Sequence, residues 1–449
     1  MSDIRVRFAP SPTGKVHIGN IRAAIYNWLY ARHTGGKFLL RVEDTDLERS
    51  TPEAIQVLFD CMQWLGLDYD EEVFYQTKNV KRHLEVVEEL KAKGFAYECE
   101  KTSRDGKTGK VVMFKMPKEG VIEFDDIVKG HMAKKAEDIQ DFAIVRSDGS
   151  PIFHIANVVD DIDQRVTHII RGDDHVENTF KHICIFKALG APVPKYGHLS
   201  MIVNQQGKPY SKRDGAAFVG EYRDEGYLPE ALFNYLLLLG WNPGDDREVL
   251  TREEMIKEFD LEKVHVTAAK FDLKKLQWMN GEYVKKIPQA EFTPHLKESL
   301  AVLDNLGDPG KLEVTKKDDA WWTYLSAQVQ PRTKFLSKIA DGLEYLFTDA
   351  FPVDEKAVEK RLKKEGAKKA LEEVIALFDA VAEGEWLAPK LEDLVKGLSQ
   401  GQGMGPWVHP IRVAVSGRGE GIGLFEMLQL LGRERTLARL RQAAANTAI

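Results

Sequence analysis

The sequence predicts an α/β protein with two textures: a doubly wound parallel sheet in the first half, continued by an all-helical second half. Up to about residue 240, short apolar and β-branched runs alternate with segments of helical periodicity, the pattern of a parallel sheet wrapped by helices. From about residue 290 the periodicity is helical almost throughout, as in "AVEKRLKKEGAKKALEEVIALFDAVAEG" and "GLFEMLQLLGRERTLARLRQAA". At 449 residues the chain is roughly three domains long, by the prior of about 150 residues per domain.

The elements follow in order. Val6 and Phe8 end a first strand, which Pro10 and Pro12 forbid from continuing as an inner ladder member. Those prolines fix φ and Gly14 frees the chain to turn, so the loop is held in one shape. A helix begins near Gly19–Asn20 and buries Ile21, Ala24, Ile25, Trp28 and Leu29. "KFLLRVED" (37–44), "FAIVRS" (142–147) and "VTHIIRG" (166–172) read as buried strands by their apolar, β-branched content. Two helices lie between them: "TPEAIQVLFDCMQWLGL", with Thr51 as N-cap before Pro52, and "VKRHLEVVEELKAKGFAY". There is no internal repeat and no low-complexity tract.

A content of 43% hydrophobic and 30% charged residues is ordinary for a water-soluble chain. The longest apolar run, "YLLLLGW" from Tyr235, falls short of the about 20 residues a bilayer span takes, and "MSDIRVRF" contains no apolar signal region. Cys61, Cys99 and Cys184 are widely spaced, which fits a reducing compartment and forms no CxxC pair. The expectation is a cytoplasmic protein without membrane attachment. A net charge of −7 excludes a uniformly basic surface but not nucleic acid, because phosphate binding depends on local patches. "RLKKEGAKK" (361–369) and "GRERTLARLR" (432–441) are such patches, and each also reads as an ordinary solvated helix face.

"RVRFAPSPTGKVHIGN" brings a strand end, a rigid loop and a helix N-terminus to the carboxyl end of a parallel sheet. Free backbone N–H groups point outward there and the helix dipole favours negative charge, so the junction is an anion site. Gly19 lets a flat ligand such as a purine base lie against the backbone, and His17 can donate a hydrogen bond to a phosphate. Read alone, the same residues make a strand–turn–helix with a satisfied surface histidine. "NQQGKPYSKRDGAAFV" (204–219) adds Lys208, Lys212 and Arg213 beside a serine in a loop bounded by glycines. It reads either as a solvated hairpin turn or as a cationic loop that follows charge developing on a phosphate and on departing pyrophosphate.

Together, "HIGN" and "SKRDG" resemble the paired HIGH and KMSKS signatures of the class I aminoacyl-tRNA synthetases. More narrowly, "RFAPSPTG", "RVEDTD", "ANVVDD", "IIRGDDH" and "KFDLKKLQWMNGEY" resemble the bacterial glutamyl-tRNA synthetases, and the tail "PIRVAVSGRGEGIGLFEMLQLLG" resembles that family's final helical region. The likeness covers essentially the whole chain. It implies a class I Rossmann-like parallel sheet with a connective insertion, followed by an all-α C-terminal anticodon-binding region. It also implies a two-step reaction in which L-glutamate and ATP give glutamyl-adenylate, which then acylates the terminal ribose of tRNA-Glu. Neither step needs an enzyme nucleophile, and Mg²⁺ accompanies the triphosphate. By the same resemblance His17 and Lys212 act in catalysis, and both hold ATP together with Gly19, Asp174 and Lys208. Arg7, Ala9, Ser11, Glu43, Phe153, Asn157 and Arg171 then surround glutamate. Glu43 offers a carboxylate to the α-ammonium and the arginines fork onto carboxylates, although Glu43 and Arg171 also read as a simple surface pair.

The chain departs from the family pattern in four places. "HIGN" ends in Asn20, which could cap the helix; "PYSKR" has Pro209 where the first loop lysine belongs, with Lys208 one place earlier; and Phe153 stands where the family often has a tyrosine. After "GFAYECE" a short "KTSRDGKTGK" turn replaces the long connective segment, and its single Cys99 cannot build a tetrahedral zinc site, so no zinc is expected. The implied division is a first catalytic half at 1–97, a shortened acceptor-binding insertion at 98–140 and a second catalytic half at 141–205. The SKR loop and stem-contact region follows at 206–290, then the helical anticodon-binding domain at 291–449, in a monomer. A non-discriminating form that also charges tRNA-Gln fits the same residues. A paralogue that glutamylates a modified tRNA base normally lacks the helical half present here, and a non-catalytic tRNA-binding relative would lack His17, Gly19 or Lys212.

Overall fold

The computed structural model describes residues 3–46, 49–102, 108–399, 401 and 403–446. The chain divides into two compact units, Met1–Met279 and Asn280–Ile449. Among the described residues no helix is long and apolar enough to cross a membrane.

In the first unit β1 (Arg5–Phe8), β2 (Lys37–Val42) and β3 (Phe74–Tyr75) form a parallel ladder in that order. α1 (Ile18–Thr34) crosses from β1 to β2, and α2 (Pro52–Trp64) from β2 to β3. Thr51 caps α2 as expected, its side chain accepting from the Ala54 N–H with Pro52 at the first helical position. Ile21, Ala24, Ile25, Trp28 and Leu29 are all buried along α1.

After α3 (Val80–Ala92) the chain forms four short strands: β4 (Ala96–Thr102), β5 (Thr108–Phe114), β6 (Val121–Asp126) and β7 (Gly130–Lys135). Of the expected 101–110 turn, residues 103–107 lie outside the described residues, while the flanking residues pair within β4 and β5. β8 (Phe142–Val145) is the "FAIVRS" strand, but it runs antiparallel to β5 in a β4-β5-β8 sheet and takes no part in the parallel ladder.

Parallel pairing resumes beyond α4 (Phe153–Asp163), where β9 (His168–Gly172) and β10 (Lys195–Leu199) flank α5 (Val176–Leu189) and pair in parallel, with β6 and β7 extending the sheet. Thr167 N donates to Arg5 O at 2.9 Å and Arg5 N donates to Thr167 Oγ1 at 2.8 Å, which sets the start of β9 beside β1. β1 is therefore flanked by β2 on one side and β9 on the other, the kind of switch point at which open α/β sheets bind ligands. β11 (Ile202–Val203) then pairs in parallel with β12 (Ala269–Lys270) across α6 (Val219–Asp224), α7 (Pro229–Leu238) and α8 (Arg252–Glu258), and α9 (Leu273–Lys286) follows.

The second unit is helical: α10 (Gln289–Ala301), α11 (Gly307–Thr315), α12 (Asp319–Val329), α13 (Glu355–Arg361), α14 (Ala367–Asp379), α15 (Ala388–Ser399), α16 (Gly405–Ser416), α17 (Leu424–Leu431) and α18 (Arg433–Asn446). Its two basic stretches have different environments. In the first, Arg361 is half-buried and Lys363, Lys364, Lys368 and Lys369 are exposed. The second stretch is mixed: Arg439 is buried and donates to the carbonyls of Val415 and Thr348, the half-buried Arg433 donates to those of Val381 and Asp379, and Arg441 is exposed.

Candidate active site

The carboxyl ends of β1, β2 and β9 open into a cleft of about 600 Å³. Arg7, Ala9, Ser11, His17, Gly19, Glu43, Phe153, Asn157, Arg171 and Asp174 all line it. Lys208 and Lys212 are not among the lining residues.

The floor of the cleft is a buried network of charges. Arg41 donates Nη1 to Asp161 Oδ1 at 2.6 Å and Nη2 to Glu43 Oε1 at 3.3 Å. Arg7 Nε reaches the same Asp161 Oδ1 at 3.1 Å, and Asn157 Nδ2 donates to Glu43 Oε1 at 2.7 Å. Burial alone would raise the Asp161 pKa, but Arg41 and Arg7 outweigh it and hold the carboxyl below its usual range. At Glu43 burial wins, and the pKa is raised in spite of Arg41 and Arg7. A carboxylate short of positive charge favours a cation beside it. Asn157 Oδ1 is buried without a hydrogen-bond partner among the described residues, so Asn157 and Glu43 together present acceptors to a cationic donor.

The opposite polarity comes from two arginines. Arg171 donates Nε to His198 Nε2 at 3.3 Å, and Nη2 to Thr179 Oγ1 at 2.7 Å and to His175 O at 3.3 Å. Its Nη1, and both terminal nitrogens of Arg7, have no hydrogen-bond partner among the described residues. Burial pushes the Arg171 pKa down to about 10, so the group is still a cation at neutral pH, and a desolvated one. Unpaired N–H donors on buried guanidinium groups suit carboxylates.

At the mouth, His17 is the N-cap of α1, with Nδ1 accepting from the Gly19 N–H at 3.0 Å. Asn20 is therefore not the cap: it lies inside the first turn, its N–H donating to His17 O at 3.0 Å. A Cβ on Gly19 would come 3.2 Å from His17 Nδ1, so glycine leaves the ring in place. Burial lowers the His17 pKa, with a hydrogen bond to the Tyr210 backbone opposing it. The neutral ring, accepting at Nδ1, carries its proton on Nε2, which faces the Tyr210 backbone and would have to leave it to donate to a ligand. Gly172 serves Asp174 similarly, because a Cβ there would come 2.5 Å from Asp174 Oδ1.

The SKR segment is tied to this mouth by its backbone. Ile18 N donates to Ala217 O and Val219 N to Val16 O, both at 3.0 Å. Tyr210 is buried, lines the cleft and packs 4.4 Å from the Phe271 ring centroid. Lys208 belongs to the preceding turn, its N–H donating to Asn204 Oδ1 at 3.0 Å. Lys212 Nζ lies 4.8 Å from the Phe218 ring centroid. Phe153 packs among the rings of His154, His175 and His182, with centroids 5.6, 5.7 and 5.6 Å away.

Sequence reasoning missed several members of the site. Tyr210 and His175 sit inside motifs read only for their charged neighbours. Asp161 and Arg41 lie in "ANVVDD" and "RVEDTD", where two adjacent charges in a buried run could have signalled an internal pair. Asp126, Thr179 and His198 carry no local signal.

Residues 3–110 and 101–278 match the catalytic domain of the tRNA synthetases class I (E and Q), and residues 274–444 match an anticodon binding domain. The chain belongs to the class I tRNA synthetases of the E and Q type. Among that family's members, the glutamate–tRNA ligase of Francisella philomiragia subsp. philomiragia is 39% identical over 472 residues, and that of Francisella tularensis subsp. novicida 40% over 474. Each alignment covers 98% of this chain and 98% of the relative. Of solved class I structures, a glutamate tRNA ligase from Elizabethkingia meningosepticum in complex with its amino acid superposes with TM-score 0.85 at 27% identity, covering 99% of both chains. The glutamate-tRNA synthetase of Elizabethkingia anophelis gives 0.84 at 28%, covering 99% of this chain and 100% of that one.

Proposed function

We infer that the chain is a glutamate–tRNA ligase, activating L-glutamate with ATP and transferring it to the 3′ end of tRNA-Glu. The observation that carries this reading is the polarity of the cleft, with acceptors at Glu43 and Asn157 Oδ1 and unpaired guanidinium donors at Arg7 and Arg171. An amino acid with a second carboxylate has the complementary pattern. Glutamate–tRNA ligases similar to this chain over nearly their whole length support the same substrate.

In the first step an α-carboxylate oxygen attacks the α-phosphorus of ATP and the bond to pyrophosphate breaks. In the second a terminal ribose hydroxyl attacks the acyl carbon, and AMP leaves with the hydroxyl proton. Glu43 and Asn157 hold the α-ammonium, while Arg7 and Arg171 take carboxylates. Ala9, Ser11 and Phe153 complete the wall. His17 Nε2 and the α1 N-terminus beside Gly19 receive phosphate, Asp174 the ribose, and Lys212, with Lys208 behind it, the charge that develops on pyrophosphate. Mg²⁺ enters with the triphosphate. No zinc is required, the 98–140 insertion holding only Cys99. The enzyme works as a cytoplasmic monomer, divided into the five regions given above.

The test is aminoacylation with radiolabelled glutamate, ATP and Mg²⁺, run side by side on tRNA-Glu and tRNA-Gln. Glutamyl-tRNA-Glu is the expected product, and the second reaction reads whether tRNA-Gln is charged as well. Label on neither tRNA would overturn the reading.

A further inference from the structure

The β6–β7 hairpin reaches the cleft through a chain of buried polar groups. Asp126, the last residue of β6, accepts at Oδ1 from the N–H groups of Val128 at 3.0 Å, Lys129 at 2.9 Å and His198 at 3.1 Å. Its Oδ2 lies 2.5 Å from His198 Nδ1. Burial would raise the Asp126 pKa, but these donors outweigh it and keep the carboxyl ionised. A carboxylate only accepts, so Nδ1 of His198 carries the proton and its Nε2 is a bare acceptor. That Nε2 takes the Nε–H of Arg171 at 3.3 Å and lies 3.1 Å from the hydroxyl of Thr179, which itself accepts from Arg171 Nη2 at 2.7 Å. Asp126, His198, Thr179 and Arg171 are all buried.

We propose that His198, held in one tautomer by Asp126, is a positioning residue that sets the Arg171 guanidinium for a carboxylate of glutamate. The proposal rests on the reading that Arg171 binds the amino acid. A planar guanidinium with Nε and Nη2 both engaged has its Nη1 direction fixed. Among the described residues Nε has no acceptor other than His198. Without it a buried N–H would be left unmatched, and the plane would turn to find a partner. Because Asp126 ends a strand of the inserted segment, the aim of Arg171 depends on that segment being in place.

The relay also has a pH dependence. The polar and titratable groups facing His198 are Asp126 and Lys129 from the hairpin, Arg171 and His175 from β9 and the turn after it, Thr179 from α5, and Tyr196, whose ring is stacked 5.9 Å away on its own strand. Burial lowers the His198 pKa and Arg171 adds to this, with Asp126 opposing, so the ring is neutral at pH 7. Protonation at acid pH places an N–H against the Arg171 Nε–H.

The test uses the full chain and compares KM for glutamate, KM for ATP and kcat between pH 5.5 and 8. The variants are His198→Leu, which removes the acceptor, His198→Gln, which keeps an acceptor near the Nε2 position but does not titrate, and Arg171→Lys. His198→Leu should raise the glutamate KM about 10- to 100-fold, the range for losing a hydrogen bond to a charged group, while KM for ATP changes less than about 3-fold. The unaltered enzyme should show a rise in glutamate KM toward acid pH, and His198→Gln should recover most of the leucine variant's loss and flatten that rise. If Arg171→Lys raises the glutamate KM and His198→Leu does not, the relay is only structural and the proposal fails. If Arg171→Lys leaves it unchanged, the pocket reading itself is overturned. Should the leucine variant not fold, an acid rise that persists in His198→Gln still overturns the proposal.

Discussion

The Lys212 ammonium lies 4.8 Å from the centroid of the Phe218 ring, held over an aromatic face outside the cleft. Such a contact is worth about 0.5–1 kcal/mol at an exposed site, so a triphosphate can draw the lysine away from it. Tyr210, buried on one side, and Phe218, bridged to His17 on the other, anchor the two ends of the loop. Only the residues between them need to move. Lys212→Ala should lower turnover in ATP–pyrophosphate exchange by about 10²–10³-fold, the cost of losing one donor to developing charge, and change glutamate KM far less. Near-normal turnover would remove Lys212 from catalysis.

What the sequence made legible was whatever local chemistry writes down. Pro10, Pro12 and Gly14 marked a rigid loop, Thr51–Pro52 a helix start, and the apolar face of α1 its buried side. Sheet membership was another matter, since a strand such as Phe142–Val145 has the same composition whether its neighbour runs parallel or antiparallel. Asn20, which could have capped α1, does not: a histidine is an uncommon cap, and His17 takes the place through its extended backbone and the Gly19 N–H that its Nδ1 accepts. Asp126 and His198 are 72 residues apart and meet only because β6 joins β10, a pairing no local pattern encodes.

The arginines of α18 illustrate the same limit on a basic patch. Arg439 donates to Val415 O at 2.7 Å, to Thr348 O at 2.9 Å and to Asp349 Oδ1 at 2.6 Å, and its guanidinium carbon sits 4.6 Å from the Phe351 ring centroid. It is an internal clamp within the helical unit. Arg439→Met should cost about 2–4 kcal/mol in urea unfolding, because buried carbonyls lose their donor. Lys363→Ala and Lys368→Ala, both at exposed positions, should stay within about 0.5 kcal/mol and weaken tRNA binding in a salt-dependent way. A stability loss in the lysine variants equal to that of Arg439→Met would contradict this division.

Arg7 presents the sharpest question of specificity. Glutamate and glutamine are nearly isosteric, so shape cannot separate them and charge must. Arg7 commits only Nε, to Asp161 at 3.1 Å, and keeps two terminal nitrogens without a partner among the described residues. A carboxylate offers them two charge-assisted acceptors, whereas an amide offers one acceptor and an opposing NH₂. Leaving a donor against a buried cation costs roughly 2–4 kcal/mol, or about 30- to 1000-fold in kcat/KM. Asp161 is also bonded to Arg41 at 2.6 Å, so the floor of the cleft should survive the replacement of Arg7. Arg7→Gln should therefore depress kcat/KM for glutamate by that factor while altering glutamine use little, as read by ATP–pyrophosphate exchange with each amino acid. Should both amino acids lose activity by the same factor, Arg7 is a scaffold residue, and the discrimination falls to Arg171 and the groups that aim it.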